Sequence, residues 1–289
     1  MSDAPNDVGN FSLVIQAPEV STPVLKELAR RTGAARIVGL PDGDAQAFRL
    51  EGAAKPDGVA AFCAEHRLDF AFVPAAQRLD RVRLVAMDMD STLITIECID
   101  EIADMQGLKP QVAAITAAAM RGEIDFATSL VQRVALLAGL DVSVLERVYA
   151  ERLVISPGAE RMLATFRRVG AKSLLVSGGF TFFTERLKQW LGLDYTASNT
   201  LEIVGGRLTG RIEGPIVDAT VKAEWVRRLA VECAHGDGLT VAIGDGANDL
   251  PMLALADVSV AYRAKPVVRA ACTYAIDYCG LDAVVNFFV

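Results

Sequence analysis

The stretch Leu84-Val85-Ala86-Met87-Asp88-Met89-Asp90-Ser91-Thr92 decides the fold of this chain. Its four leading apolar residues predict a buried strand of a parallel sheet, because helices cover both faces of such a sheet. The two aspartates then stand at the carboxyl end of the strand, where open α/β sheets bind their ligands. Carboxylates at this spacing repel each other and suit a hard divalent cation such as Mg²⁺. An ordinary acidic turn, with Ser91 or Thr92 capping the next helix, would show the same pattern.

Two further apolar runs end in polar, turn-forming groups. The run 171–176 leads into Ser177-Gly178-Gly179, and the run 239–243 leads into Gly244-Asp245-Gly246-Ala247-Asn248-Asp249. The carboxyl ends of parallel strands lie side by side, so we expect the three polar groups to converge at one edge of the sheet. A predicted helix between the last two groups carries Lys222 near its start, where a lone lysine is normally a solvated surface residue. Only the order of the motifs makes the set specific.

Composition restricts the class of protein. The chain has 289 residues, of which 52% are hydrophobic and 22% charged, enough for two domains with a sizeable core. Its net charge of −7 argues against a general binder of nucleic acid or anionic membranes. No apolar run reaches the roughly 18 residues of a transmembrane span, and the polar start lacks a signal-peptide pattern. The five dispersed cysteines predict free thiols in a reducing cytoplasm, and His66 and His235 are expected at the surface.

The first 80 residues show a pattern of their own. Predicted strands and helices follow the order β-α-β-β-α-β, the split, ferredoxin-like motif, with a turn at Pro41-Asp42-Gly43-Asp44. By topology alone the unit resembles the small-ligand-sensing ACT domain, so it could bind an amino acid such as serine, build a homodimer interface, or do neither. We predict an ACT-like domain over residues 1–80 and a second domain over residues 81–289.

A helical insertion follows the first motif. Four stretches between about residues 97 and 155 predict helices, at 99–105, 112–121, 126–137 and 142–150. The insertion is longer than a crossover between two parallel strands requires, so it predicts a small helical cap over the strand ends. The predicted fold class is α/β, a Rossmann-like parallel sheet with an inserted helical cap, preceded by an α+β ferredoxin-like domain.

From about Val82 to the C-terminus, the order of the motifs resembles the haloacid dehalogenase superfamily of phosphotransferases. The resemblance implies that Asp88 is a nucleophile that forms an aspartyl-phosphate. It implies that Asp90 is the general acid for the leaving alkoxide and then the general base for water. One Mg²⁺ per active site would be held by the Asp88 carboxylate, the Asp90 backbone carbonyl and the Asp245 carboxylate. Lys222 would offset the charge of the phosphoryl group.

The other motif residues would surround the phosphate. Ser177 would offer a hydroxyl, and the glycines Gly178 and Gly179 would let backbone N–H groups approach a phosphoryl oxygen closely. In the same resemblance Asn248 and Asp249 would orient the phosphate, the lysine or a metal-bound water. On its own, a glycine-rich turn is more often a plain loop.

Within the predicted cap the similarity extends to one family, the phosphoserine phosphatases. In that family Glu97 would pair with the substrate ammonium, and Arg133 would grip the substrate carboxylate with two hydrogen bonds. Met120 and Phe126 would form an apolar wall that helps to exclude water. The resemblance implies hydrolysis of the small molecule O-phospho-L-serine to serine and phosphate, the last step of serine biosynthesis. Taken singly, the charges would be assigned to a solvated helix surface and the apolar pair to an ordinary core.

Two alternatives remain open. The phosphoryl group could pass to homoserine or another alcohol instead of water. The chain could also be an amino-acid-sensing regulator whose phosphatase half is vestigial. The intact set of Asp88, Asp90, Ser177, Lys222 and Asp245 argues against the second alternative, because loss of function would be expected to affect these residues first.

Overall fold

Two β-sheets organise the part of the chain that the computed structural model describes, residues 11–40, 43, 45–233 and 237–289. The first sheet unit contains, in chain order, β1 (Phe11–Ala17), α1 (Thr22–Thr32), β2 (Arg36–Leu40), β3 (Gln46–Glu51), α2 (Val59–Glu65) and β4 (Asp69–Pro74). The strand order is β2-β3-β1-β4, and all neighbouring pairs are antiparallel. This is the predicted ferredoxin-like arrangement. The predicted turn at 41–44 lies, except for Gly43, outside the described residues.

The second sheet carries the helical insertion. Its elements are β5 (Val82–Met87), α3 (Cys98–Asp104), α4 (Lys109–Met120), α5 (Phe126–Ala135), α6 (Ser143–Glu151), α7 (Ala159–Arg168), β6 (Lys172–Phe180), α8 (Thr181–Leu191), β7 (Tyr195–Val204), β8 (Arg207–Glu213), α9 (Ala219–Cys233), β9 (Leu239–Gly244), α10 (Leu250–Leu253), β10 (Val258–Tyr262), α11 (Pro266–Ala271) and β11 (Tyr274–Ile276). The strand order is β11-β10-β9-β5-β6-β7-β8. Only β8 is antiparallel to its described neighbour, β7, so the predicted parallel sheet and the predicted hairpin are both confirmed.

Strand β5 lies at the centre of the second sheet, between β9 and β6. Val85 and Met87 pack into the cluster on one face, and Leu84 and Ala86 pack into the cluster on the other. All four side chains are at most 1% exposed. Burial on both faces explains why the part of the strand over 84–87 is uniformly apolar rather than alternating.

Strand β6 differs from the prediction at its end. The apolar run was expected to stop before Ser177, but extended backbone continues to Phe180. The pairing with β7 shifts register between Val176 and Phe180, and Phe180 pairs with Asn199. The serine and glycines therefore lie in an irregular strand end rather than in a loop, because the shift lets the chain resume pairing beyond them. Helix α8 begins at the next residue and was not predicted.

The cap, helices α3 to α6, confirms the four predicted helices with small shifts at their ends. Val134, Leu137 and Leu145 are buried within the apolar core that the cap shares with the second sheet. The segment after α5 lies close to β8, where a Cβ on Gly210 would stand 2.8 Å from the Ala138 Cβ. Gly210 also has a φ of 81°, so this position favours glycine for both space and backbone conformation.

Buried polar side chains join the two sheets. The Asp69 carboxylate accepts the backbone N–H groups of Asp277, Tyr278 and Cys279 at 2.8, 3.1 and 2.9 Å. Arg49 donates to the carbonyl oxygen of Phe288 at 2.6 Å.

The C-terminal segment 281–289 lies against the first sheet. The segment contributes Phe287 and Phe288 to the same apolar cluster as Val14, Ala71 and Val73 of that sheet. Residues Leu281–Phe287 form 3₁₀ turns. The backbone N–H of Val289 donates to the Gln77 carbonyl at 2.9 Å, and the Gln77 side chain donates to the Phe287 carbonyl at 2.5 Å. First and last described parts of the chain are thus packed together.

Three sequence expectations concern single residues or segments. No helix in the described part of the chain has the length and apolar character that crossing a membrane requires. All five cysteines are free thiols, and Cys63, Cys98 and Cys279 are buried. His66 is exposed, whereas His235 lies outside the described residues.

Candidate active site

A cavity of about 320 Å³ opens at the carboxyl edge of the second sheet, beneath the cap. Most of the predicted site residues line it: Asp88, Asp90, Glu97, Met120, Phe126, Arg133, Ser177, Gly178, Gly179, Asp245 and Asn248. Lys222 and Asp249 lie directly behind its floor, at 1% and 0% exposure. Strands β5, β6 and β9 bring their polar ends to this cavity, as expected for parallel strands.

Asp88 follows β5 and is held from two sides. Its Oδ1 accepts the Met89 backbone N–H at 2.7 Å and stands 2.7 Å from the Lys222 ammonium nitrogen. No described residue donates a hydrogen bond to Oδ2, which leaves this oxygen for a ligand. Burial and the negative charge of Asp249 raise the pKa of Asp88 well above its ordinary value, although Lys222 opposes the rise.

Lys222 and Asp249 form the support behind Asp88. The Lys222 ammonium donates to Asp249 Oδ1 at 2.8 Å. The other oxygen of Asp249 accepts the backbone N–H groups of Asp245 and Gly246 at 3.2 and 3.0 Å. Burial alone would lower the pKa of Lys222, but the charges of Asp88 and Asp249 outweigh it and raise that pKa. The two carboxylates therefore favour the charged form of Lys222, although its side chain is only 1% exposed.

A tight turn over Met89–Leu93 brings Asp90 to the cavity. Within it Ser91 has a φ of 56°, and its hydroxyl donates to Glu97 Oε1 at 2.6 Å. Asp90 Oδ1 accepts the Cys98 backbone N–H at 3.3 Å. Burial and the negative charge of Glu97 raise the pKa of Asp90 to about 7. Asp90 is thus a carboxyl group that can hold a proton near neutral pH.

The irregular end of β6 needs glycine for space rather than for φ. A Cβ on Gly178 would stand 2.7 Å from the Phe126 ring, and a Cβ on Gly179 would stand 2.6 Å from the Met89 methyl carbon. Ser177 is 1% exposed, and its oxygen accepts the Gly179 N–H at 2.8 Å. The Ser177 hydroxyl proton is therefore directed elsewhere and can be donated to a ligand.

Three carboxylates could hold a cation. One oxygen from each of Asp88, Asp245 and Asp249 lies within 4.8 Å of the other two. Thr92 donates to Asp245 at 3.0 Å, while burial and the charge of Asp249 raise the pKa of Asp245 to about 6. These hard oxygen donors suit Mg²⁺, and a cation would relieve their mutual repulsion. Since both oxygens of Asp249 already accept hydrogen bonds, Asp88 and Asp245 are the better placed ligands.

The cap contributes charged and apolar groups to the cavity. Arg133 on α5 is partly buried, and its Nε donates to the Ser129 carbonyl at 3.4 Å. Burial lowers the pKa of Arg133, and the negative charges of Asp100 and Glu97 oppose that change. Met120 lines the cavity but is 70% exposed, so in this conformation it excludes little water.

Several lining residues were not predicted from the sequence. These are Ile99, Asp100, Thr116, Leu130, Phe180 and Lys265. Lys265 follows β10, and its backbone N–H donates to the Asp245 carbonyl at 3.3 Å. It could have been found by the rule used for the other strand ends, since β10 pairs with β9. Asp100 and Thr116 lie inside helices, where no local pattern distinguishes them from surface residues.

Known proteins show the same architecture. A model of the haloacid dehalogenase-like hydrolase family matches residues 85–254, and a domain of unknown function (DUF4072) matches residues 13–59. A phosphoserine phosphatase of Polaromonas sp. is 51% identical over 210 residues, which make up 71% of this chain and 89% of that relative. Because the family matched over residues 13–59 has no known function, the resemblance of the first sheet unit to an ACT domain stays a prediction.

Solved structures agree with these matches. The crystal structure of a probable phosphoserine phosphatase from Vibrio cholerae, in an unliganded form, has a TM-score of 0.82 and 37% identity, covering 96% of this chain and 85% of that one. A phospho-aspartyl intermediate analogue of phosphoserine phosphatase has a TM-score of 0.67 and 35% identity, covering 72% of this chain and 100% of that one. The chain therefore belongs to the haloacid dehalogenase-like hydrolases and, among them, to the phosphoserine phosphatase family.

Proposed function

We propose that this chain is an Mg²⁺-dependent phosphatase that hydrolyses O-phospho-L-serine to serine and phosphate. The observation that carries the proposal is one cavity that combines a buried carboxylate, Asp88, with a pair of opposite charges, Glu97 and Arg133. The name of the 51% identical relative, a phosphoserine phosphatase, supports the same substrate. A small-molecule substrate also agrees with the cavity volume of about 320 Å³.

Substrate selection follows from the charges on the cap side of the cavity. Phosphoserine carries an ammonium and a carboxylate beside its phosphate. Glu97 pairs with the ammonium, and the planar guanidinium of Arg133 binds the carboxylate through two hydrogen bonds. Phe126 and Met120 line the same region and provide apolar contact with the substrate carbon atoms.

In the first chemical step a carboxylate oxygen of Asp88 attacks phosphorus. A bond forms between Asp88 and phosphorus, and the bond from phosphorus to the serine oxygen breaks. Asp90 donates its proton to that oxygen, so serine leaves with a neutral hydroxyl group. The raised pKa of Asp90, about 7, supports this role, because a carboxyl group at its ordinary pKa would hold almost no proton at neutral pH.

The second step returns the enzyme to its starting state. A water molecule attacks phosphorus and gives a proton to the Asp90 carboxylate left by the first step. The bond between phosphorus and Asp88 breaks, and inorganic phosphate is released. Throughout, Lys222 and the Ser177 hydroxyl offset negative charge on the phosphoryl group, and Asn248 helps to orient it.

The residues present fit one Mg²⁺. The Asp88 and Asp245 carboxylates and the Asp90 backbone carbonyl would hold it. Asp249 keeps Lys222 and the 245–246 backbone in position. When bound, the ion supplies positive charge beside the phosphoryl oxygens. The clustering of three carboxylate oxygens within 4.8 Å supports this site.

The remaining proposals concern organisation. We propose two domains, residues 1–80 and 81–289, with the cap inserted at about 97–155. The first domain is ACT-like and offers a surface for a homodimer or a site for serine. Free thiols at all five cysteines support a reducing compartment, the cytoplasm.

Phosphate release from O-phospho-L-serine, with and without Mg²⁺, tests the function. We expect Asp88→Asn to lower kcat by at least ~10³-fold, because a neutral amide is a poor nucleophile. Arg133→Ala should raise the KM for phosphoserine at least ~10-fold and leave p-nitrophenyl phosphate hydrolysis nearly unchanged. Arg147→Ala, an exposed change on α6, is the matched control. Turnover of the aryl phosphate through Asp88 without any turnover of phosphoserine would refute the proposed substrate.

A further inference from the structure

Thr116 carries a buried hydroxyl group without a hydrogen-bond partner among the described residues. It lies on cap helix α4, and the residue is part of the lining of the active-site cavity. Buried polar groups in folded proteins are nearly always hydrogen-bonded, so an exception at a cavity wall points to a ligand that provides the missing partner.

Thr32 shows how the hydroxyl group of a threonine in a helix is normally hydrogen-bonded. Thr32, near the end of α1, is 2% exposed, and its hydroxyl donates to the Leu28 carbonyl four residues earlier at 2.8 Å. This bond to the preceding turn is the usual solution for threonine inside a helix. The corresponding carbonyl for Thr116 belongs to Val112, and no such bond is formed. The hydroxyl of Thr116 is therefore left without an acceptor in its own helix, although the residue stands at the cavity wall.

The charges around the cavity decide which part of the substrate this hydroxyl would meet. On the cap side, Glu97 and Asp100 provide two carboxylates for the three N–H donors of an ammonium group. For a substrate carboxylate, which accepts about four hydrogen bonds, the cap side offers the guanidinium of Arg133. Lys265 also lines the cavity, but its positive charge acts on the Glu97 carboxylate, which already balances it. The group short of partners on the cap side is thus the carboxylate.

We propose that Thr116 is a specificity-determining residue whose hydroxyl donates a hydrogen bond to the α-carboxylate that Arg133 binds. The inference rests on the proposed function, because it concerns how the same cavity selects an amino-acid phosphomonoester. Helix α4 packs against α5, which carries Arg133. Ile99, Phe126 and Leu130 also line the cavity and give it apolar surface. Apolar surroundings strengthen a charge-assisted hydrogen bond and so increase discrimination.

Thr116→Val tests the proposal, since valine keeps the shape of the side chain and removes only the hydroxyl group. We expect kcat/KM for O-phospho-L-serine to fall at least ~10-fold, mainly through KM, because a hydrogen bond to a charged group is lost. O-phosphoethanolamine, which lacks the carboxylate, and p-nitrophenyl phosphate should be hydrolysed within about 2-fold of the wild-type rate. Thr116→Ser, which keeps the hydroxyl, should restore most of the preference for phosphoserine.

Thr32→Val is the matched control. It removes a helical threonine hydroxyl far from the cavity, so it should change the melting temperature without changing the ratio of the substrates. Equal losses on all three substrates for Thr116→Val, or no loss on phosphoserine, would overturn the inference. If the wild-type enzyme hydrolyses the aryl phosphate but not phosphoserine, the proposed function has failed, and the assignment of Thr116 fails with it.

Discussion

Lys222 is the charged residue on which the buried carboxylates of the active site depend. It is 1% exposed and contacts both Asp88 and Asp249. Removing one partner from a buried ion network leaves uncompensated charge in a poorly solvated place, which costs more than losing an exposed pair. At this site stability and catalysis therefore depend on the same ammonium group.

Lys222→Met should lower the free energy of unfolding by ~3–5 kcal/mol at pH 7, because two carboxylates lose their cation. The loss should shrink at lower pH, where Asp88 with its raised pKa takes up a proton. Urea unfolding at several pH values measures both effects. Lys172→Met, which breaks the exposed 2.7 Å pair with Asp194, is the control and should cost no more than about 1 kcal/mol. Equal costs for the two variants would contradict the argument.

The pKa values of Asp90 and Asp245, about 7 and about 6 against an ordinary 3.8, make stability depend on pH when no divalent cation is bound. Between pH 4 and 7 the folded chain holds protons that the unfolded chain has lost at these sites. Their contribution to stability is therefore complete below pH 4 and disappears as pH rises through 6 and 7.

Asp245→Asn should remove the Asp245 contribution to the loss of stability with rising pH. In the presence of EDTA it should raise the free energy of unfolding at pH 7 by up to ~3 kcal/mol. Saturating Mg²⁺ should stabilise the wild type and not this variant. Urea titrations with EDTA or Mg²⁺ measure both effects, with the exposed Asp57→Asn as control. A variant less stable than the wild type in EDTA would disprove the expected sign.

The five thiols should react in two groups. Burial raises the pKa of Cys63 to about 12 and also raises the pKa values of Cys98 and Cys279. Cys233 and Cys272 are only partly buried. A disulfide reagent should therefore modify at most two thiols in the native protein and all five in denaturant. Rapid modification of Cys98 in the folded state would contradict the burial described for α3.

At the scale of elements, the end of β6 packs closely against the start of α5 because Gly178 has no side chain. The ring of Phe126 occupies the space that a side chain on Gly178 would need. Since α5 belongs to the cap and β6 to the sheet, this contact determines how closely the cap approaches the cavity.

Gly178→Ala should push Phe126 and the cap away from the strand, because the added carbon would stand 2.7 Å from the ring. We expect the KM for phosphoserine to rise about 10-fold, with a smaller effect on aryl phosphate hydrolysis. Phe126→Leu should partly offset the change when the two are combined, since a smaller side chain leaves room. Gly39→Ala on β2, where no atom lies within 4 Å of the added carbon, should have no effect on activity. Additive losses in the double variant would exclude the steric explanation.

The strands and helices also show which parts of the fold local sequence patterns can predict. The strand β5, the cap helices and the ferredoxin-like order could be predicted because each has a local signal: an apolar run, a helical period or a turn. Helix α8 was missed, although its buried Phe183, Leu187 and Leu191 recur every four residues. The role of Thr116 could not be predicted, because an unpartnered hydroxyl is visible only when the surrounding atoms are known.

At the scale of the whole molecule, contacts between distant parts of the chain hold the two sheets together. Asp69 and its three N–H donors are separated by more than 200 positions, so no local sequence pattern could predict the contact. Burial raises the pKa of Asp69, although these hydrogen bonds oppose the rise. The first sheet unit is thus attached through polar groups that tolerate little change.

Asp69→Ala should separate the unfolding of the two sheets. Three backbone donors would lose their acceptor, and we expect a loss of ~2–4 kcal/mol in the stability of the first sheet unit. Two transitions in calorimetry, or selective proteolysis within residues 11–74, would show the effect, and Asp57→Ala serves as control. A single unshifted transition would show that the apolar contacts alone hold the sheets together.

The packing of segment 281–289 against the first sheet has a consequence for synthesis on the ribosome. The face of that sheet formed by Val14, Ala71 and Val73 is covered in part by Phe287 and Phe288, which are synthesised long after that sheet. While translation proceeds, the first unit can form its strands and helices but must leave this apolar face open. The nascent chain therefore carries a binding surface for chaperones until segment 281–289 emerges from the exit tunnel.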